Sequence, residues 1–213
     1  MILPYKPDVA LLSIRTLGGL AIRLDAPDGM HRASDPSARG VAGQTVAFET
    51  RTVDALLVYV ACLGRPVARD ILAELLWPER TQTQARANLS VAIHRLRRQL
   101  APFLLVTRQS VALNPRARIE LDVAQFETHL AAGQLTAAAA CYAGDFLDGF
   151  FLRASPAFEQ WALLERGRLR TLAIAAYSSS ASSRPPRGMA TPPSPLCNVC
   201  SNLIPCTSLR TAN

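Results

Sequence analysis

The stretch Gln82–Leu100, QTQARANLSVAIHRLRRQL, decides how the rest of the chain is read. It holds four arginines and a histidine and neither Asp nor Glu. At about 100° per residue, Ala85, Leu89, Ala92, Ile93, Leu96 and Leu100 fall on one side. That stripe predicts a helix from about Thr83 to Leu100, closed by Pro102. The other side gathers Gln84, Ala87, Asn88, Val91, His94, Arg95 and Arg98, with Arg86 and Arg97 at its borders. A solvated helix face ordinarily mixes Glu and Lys, and neither is present here. Small, amide and guanidinium side chains suit the major groove of DNA: Arg matches guanine O6/N7, Asn matches adenine N6/N7, and Val meets a thymine methyl. Gln84, Asn88, Val91, His94, Arg95 and Arg98 are therefore candidate base readers, and Arg86 and Arg97 candidate phosphate contacts.

Outward from this helix, the flanking patterns complete a unit. Thr52–Leu63 places Val53, Leu56, Leu57, Val60 and Ala61 on one helical face, ended by Gly64 and Pro66. Ala68–Trp77 places Ile71, Leu72, Leu75 and Leu76 on one stripe, and Pro78 stops it. Trp77 reads as a core residue. Leu104–Leu113 alternates Leu104, Val106, Val111 and Leu113 around Arg108-Gln109-Ser110 and reads as a hairpin. Upstream, Ala10–Leu24 alternates on either side of Gly18-Gly19, predicting two strands joined by a tight turn. Asp25–Gln44 reads as a surface loop and Thr45–Glu49 as a third strand. Strands, three helices and a hairpin, in that order, are expected to form an α+β winged helix-turn-helix over residues 11–116. Arg108 at the hairpin tip is then either a wing contact to the minor groove or phosphate, or an ordinary polar turn residue.

Charge is distributed to match. Arg51–Arg118 carries eleven arginines against four acids, and within it Gln82–Arg118 has seven arginines and no carboxylate. Met1–Thr50 is balanced at five of each sign, and Ile119–Tyr177 has four arginines against seven acids. A basic block with nothing to neutralise it attracts a polyanion; the competing reading is a solvated basic face.

Several function classes drop out. Lys6 is the only lysine, so no phosphate-cradling loop ending in Gly-Lys-Ser/Thr exists. His31, His94 and His129 form no His-Glu-x-x-His pair, and no Gly-x-Ser-x-Gly elbow occurs. No catalytic set, cofactor or metal site is expected. An apolar content of 49% excludes a wholly disordered chain. No apolar run reaches the ~18–20 residues of a membrane span. The N-terminus lacks the order of a secretory signal, so a cytoplasmic location is expected.

Beyond Arg118 the chain becomes Ala-rich and helical in pattern. Asp122 is placed to cap a helix through Val123, Phe126 and Leu130; Gly133 breaks it, and Leu135–Tyr142 continues. A long amphipathic helix over Pro156–Tyr177 carries Phe158, Trp161, Leu164, Leu169 and Leu172. Paired helices of this kind build repeat scaffolds, so residues 117–177 are expected to form an all-α, helical-repeat-like interaction domain, or else a second helical core without a partner.

These residues together resemble a known family. Leu17-Gly18-Gly19-Leu20, Gly64-Arg65-Pro66-Val67, Leu75-Leu76-Trp77-Pro78, Ala85-Arg86-Ala87-Asn88-Leu89 and Arg95-Leu96-Arg97-Arg98-Gln99-Leu100 come first. Tyr142, Gly144-Asp145-Phe146-Leu147, Gly149-Phe150, Phe158, Trp161, Arg166 and Leu169 follow. Their order and spacing over Leu11–Tyr177 resemble SARP-type bacterial transcriptional activators, an OmpR/PhoB-type winged helix followed by a bacterial transcriptional activator domain. The resemblance implies binding to double-stranded DNA at direct repeats, with self-association there, and help in recruiting RNA polymerase. It also implies base contacts at the positions of Asn88, Val91 and Arg95. The alternatives are a helical protein-interaction adaptor that has lost DNA binding, or a non-functional truncated relic.

The tail departs from that pattern. Ser178–Asn213 is rich in Ser, Pro and Cys and is expected to be disordered. A shifted reading frame across Cys197–Asn213 permits a Leu-rich phrase with Asp-Pro-Leu and Ala-His-Arg, of the form expected for the family's continuing helices, so a frameshift after Tyr177 is expected. Cys197, Cys200 and Cys206 match no common zinc spacing. Cys62 and Cys141, on predicted helices, are expected to be buried and reduced.

Overall fold

The computed structural model describes residues 10–25 and 44–182. The chain is mixed α/β, with six α-helices and two small sheets among the described residues. The expected loop at Asp25–Gln44 lies outside them except for its end residues, as does the tail beyond Ser182.

The N-terminal strands β1 (Leu11–Arg15) and β2 (Ala21–Asp25) pair antiparallel, Ile14 opposite Ile22, as the alternation predicts. The third strand, β3, is shorter and earlier than expected, only Gln44–Thr45. Helix α1 (Arg51–Leu63) ends at Gly64, whose φ of 61° gives the left-handed cap that glycine favours. It buries Ala55 and Val58 as well as its expected stripe, because the rest of the molecule wraps around it.

Three corrections to the sequence reading follow, two from strand pairing and one from helix packing. Ala68 belongs to a strand, β4 (Val67–Ala68), so α2 starts one residue later, at Arg69–Leu76. Within α2 the buried residues are Leu72, Ala73 and Leu76, while Ile71 is 53% exposed. The short helix rests mainly on α3, and that contact selects a narrower face than four apolar residues suggest. Third, the region after residue 117 is not purely helical: Ile119–Leu121 forms a strand of the first sheet, pairing parallel with β1.

Helix α3 (Gln82–Leu100) buries Ala85, Leu89, Ala92, Ile93, Leu96 and Leu100, all six stripe residues. Thr81 caps it, its side chain accepting from the Gln84 amide at 3.4 Å. After a single 3-10 turn come β5 (Leu104–Val106) and β6 (Ser110–Leu113), the predicted hairpin, with β4 adding to the far side of β6. The strand at Ile119–Leu121 is β7, and it leads directly into α4 (Asp122–Ala131). Helices α5 (Leu135–Cys141) and α6 (Pro156–Ser182) complete the chain; α6 runs past Tyr177, where the sequence reading ends it.

The helical region is joined closely to the first sheet. Asp122 is the first residue of α4, with Leu121 at the cap position where Asp122 was expected; its carboxylate accepts from the amides of Thr16 (2.6 Å), Leu17 (2.7 Å) and Val123 (2.8 Å) and from the Thr16 hydroxyl (2.8 Å). Gly18 and Gly144 meet so closely that a Cβ on Gly144 would lie 2.9 Å from the Gly18 Cα. Leu147, buried with φ of 51°, donates its amide to the Thr16 carbonyl at 2.7 Å, and Arg166 holds the Phe146 and Leu147 carbonyls. Trp161 stacks edge-on against Tyr59 of α1 and Phe146. The buried apolar residues of both regions accordingly form one continuous core.

Candidate nucleic-acid interface

The six buried residues of α3 turn its opposite side outward, and the structure puts most of the expected residues there. Gln84, Ala87, His94, Arg97 and Arg98 are exposed, and Val91 is 54% exposed although apolar. Asn88 and Arg95 are half-buried. They lie seven residues, about two helical turns, apart on one border of that face, whereas Ser90 and Arg97 lie on the other border, toward the hairpin, and Arg86 on that border faces α2. The centre of the outward face is thus Ala87, Val91, His94 and Arg98.

Helix α3 carries no carboxylate, but its neighbours bring two to it. Asp70 of α2 grips Arg86 in a two-pronged pair, Nε to Oδ1 at 2.7 Å and Nη2 to Oδ2 at 2.9 Å. That hydrogen-bonded pairing holds the Asp70 carboxyl below its usual range and raises the Arg86 guanidinium further. Glu49, just before α1, stands 3.6 Å from the Arg95 guanidinium. The sequence shows neither partner, since both pairs join residues distant along the chain.

Arg69 is a further basic residue of this surface that sequence reasoning missed. Its guanidinium donates to the Ser90 hydroxyl at 2.9 Å, and Ser90 donates back to the Arg86 carbonyl at 2.9 Å. Its backbone amide donates to the Gln109 carbonyl at 2.8 Å, tying the start of α2 to the hairpin turn. Its place at the head of a helix beside an Arg-rich one was the available signal. Arg69, Ser90, Ile93, His94, Arg97, Arg98, Ala101 and Val106 line a recess of about 550 Å³ between α3 and the hairpin. Three guanidinium groups on its wall give a concave, positively charged surface of the kind that takes a phosphodiester.

The hairpin turn is built by Thr107, whose hydroxyl oxygen accepts from the amides of Gln109 (3.2 Å) and Ser110 (2.9 Å). Arg108 sits exposed within this turn, as expected. Cys62 and Cys141 are free thiols, half-buried where full burial was expected; burial and nearby carboxylates push the Cys62 thiol well up. The other three cysteines lie outside the described residues. Among the described residues no group of three or more His, Cys, Asp or Glu could hold a metal ion, and no helix is long and apolar enough to cross a membrane.

No protein-family model matches the sequence, and no curated protein does. Among solved structures, the fold is similar to that of Mycobacterium tuberculosis EmbR, solved in complex with a low-affinity phosphopeptide. The TM-score is 0.55 at 22% identity, covering 81% of this chain and 47% of EmbR. The present chain therefore spans about half the length of that protein, and what the two share is the mixed α/β fold.

Proposed function

We propose that the protein is a sequence-specific, double-stranded DNA-binding transcriptional regulator, acting in the cytoplasm without a catalytic step. In this reading residues 11–116 form a winged helix-turn-helix, with α1–α3 and β4–β6 as its DNA-facing part, and residues 117–177 a helical activator module. The observation that carries it is the outward side of α3: amide, imidazole, guanidinium and one exposed valine, beside an arginine-walled recess and an exposed hairpin turn bearing Arg108. A helix of this composition lies in the major groove with Gln84, Asn88, Val91, His94, Arg95 and Arg98 toward base edges. Arg86, Arg97 and Arg69 then face phosphates, and Arg108 reaches the neighbouring minor groove or its backbone. Activation, with RNA polymerase as the partner of the helical module, is the role the family resemblance adds.

Selection of bound sites from a random DNA pool, followed by fluorescence anisotropy at several salt concentrations, tests this. The expected result is a defined site whose affinity falls steeply with salt, and an Arg97→Ala variant whose log–log salt slope is shallower by about 1. Absence of both site enrichment and a salt slope overturns the reading and leaves an adaptor.

A further inference from the structure

We infer that the recess between β2, the segment leading from β3 into α1, and the turn at Asp148–Phe150 is a binding site for a small organic cation, an ammonium group carried on an aromatic or aliphatic body. The recess holds about 400 Å³, within the range of small-molecule pockets. Leu20, Ile22, Val46, Phe48 and Phe150 give it an apolar lining. The charged groups on its wall are Arg51, Asp54 and Asp148. How those three are engaged decides which ligand fits.

Arg51 is turned to the protein. Its Nη1 donates to the Phe151 carbonyl at 3.2 Å, and its guanidinium lies 5.8 Å from the centre of the Phe150 ring. Asp54, about one helical turn further along α1, has no such partner: among the described residues neither a hydrogen bond nor an ion pair reaches its carboxylate. That side chain is half-buried. Burial pushes the group up to about 6, and the lowering influence of Arg51 offsets this only in part. Near pH 7 the carboxylate is therefore mostly ionised, partly withdrawn from water, and without a counter-charge in contact. Asp148 on the same wall is exposed, and its carboxylate is likewise unpaired among the described residues.

This arrangement selects by charge. An anion would meet two carboxylates and a guanidinium already committed elsewhere. A neutral ligand would strip further water from Asp54 and return no interaction with the charge. A bare metal ion would lack donors, since no group of three or more His, Cys, Asp or Glu stands together among the described residues. An ammonium on an apolar body supplies the missing counter-charge to Asp54 and covers the apolar lining at the same time.

Titration of the isotope-labelled full chain with phenethylamine, followed by amide chemical shifts, tests this without DNA and so separately from the regulator reading. Phenethyl alcohol, of nearly the same shape and uncharged, is the control. The expected result is a saturable set of shifts centred on Ile22, Val46, Phe48, Asp54 and Gly149, with a Kd on the order of a millimolar for so small a probe. The alcohol should bind about tenfold more weakly. Asp54→Asn should remove the preference for the amine while leaving the amide spectrum well dispersed. No saturation by about 20 mM amine, equal affinity for amine and alcohol, or shifts centred elsewhere overturns the proposal. A folded Asp54→Asn variant that keeps the preference overturns it too. The amine–alcohol comparison is made in the parent chain, so the test stands even where the variant does not fold.

Discussion

Arg95 offers the sharpest test of base reading, because the structure shows what it must give up. A guanidinium reading guanine through two hydrogen bonds contributes about 1–3 kcal/mol to discrimination. In the free protein Arg95 lies 3.6 Å from Glu49, with the two side chains 39% and 79% exposed. An ion pair so long and so open contributes no more than about 1 kcal/mol after screening, and it must open for the guanidinium to turn to a base. The net loss from Arg95→Ala on the selected site is therefore about 1–2 kcal/mol, roughly five- to thirtyfold in Kd. Glu49→Gln removes the competitor and should tighten binding by up to about fivefold. With Glu49 replaced, Arg95→Ala should cost more than it does in the parent chain, which a double-mutant cycle measures. Fluorescence anisotropy on the selected site and its single-base variants, at one fixed salt concentration, gives all four affinities. Equal weakening across every sequence would make Arg95 a phosphate contact. Weaker binding in Glu49→Gln would make Glu49 a group that orients Arg95, and the competition argument would fail.

Two further outcomes follow from the framework that carries this surface. Asp122→Ala leaves the amides of Thr16 and Leu17 without their acceptor beside a fully buried Thr16. It should lower stability by about 2–4 kcal/mol in urea unfolding followed by circular dichroism, and a change below about 1 kcal/mol would show that water replaces the carboxylate. Asp54, lining a recess with Ile22, Phe48 and Arg51, is pushed from 3.8 to about 6 by burial, against the lowering influence of Arg51. The folded state then holds this proton more tightly than the unfolded chain, so its contribution to stability falls as pH rises from about 4 to 6 and stays lost above. Partial exposure reduces the effect to about 1 kcal/mol. Asp54→Asn should abolish that slope and raise the melting temperature at pH 7; an unchanged pH profile would place Asp54 outside the cause.

The legible parts of the fold were those in which neighbours along the chain cooperate. The α3 stripe is one example: six apolar residues at helical spacing are buried as a set because a helix offers them one common side. The β1–β2 register and the β5–β6 hairpin are others, each closed by a short turn. Gly64 marks a helix end because its left-handed cap suits a residue without Cβ. The outward side of α3 was legible for the same reason, as the complement of its buried stripe.

What depended on residues far apart in the chain was not legible. β7 is three residues long and pairs with β1 over a separation of more than a hundred positions, so no periodicity announces it. Asp122 reads locally as a helix cap; only the approach of the β1–β2 turn makes it an acceptor for Thr16 and Leu17. Glu49 and Asp70 belong to other elements, yet they stand against Arg95 and Arg86 and set the electrostatics of the surface. The chain alone thus determined which side of α3 is free to meet a partner, since a helix's own geometry separates its two sides. Tertiary packing decided which of its arginines stand free and which already hold a carboxylate, because Coulomb attraction acts through space and takes no account of sequence distance.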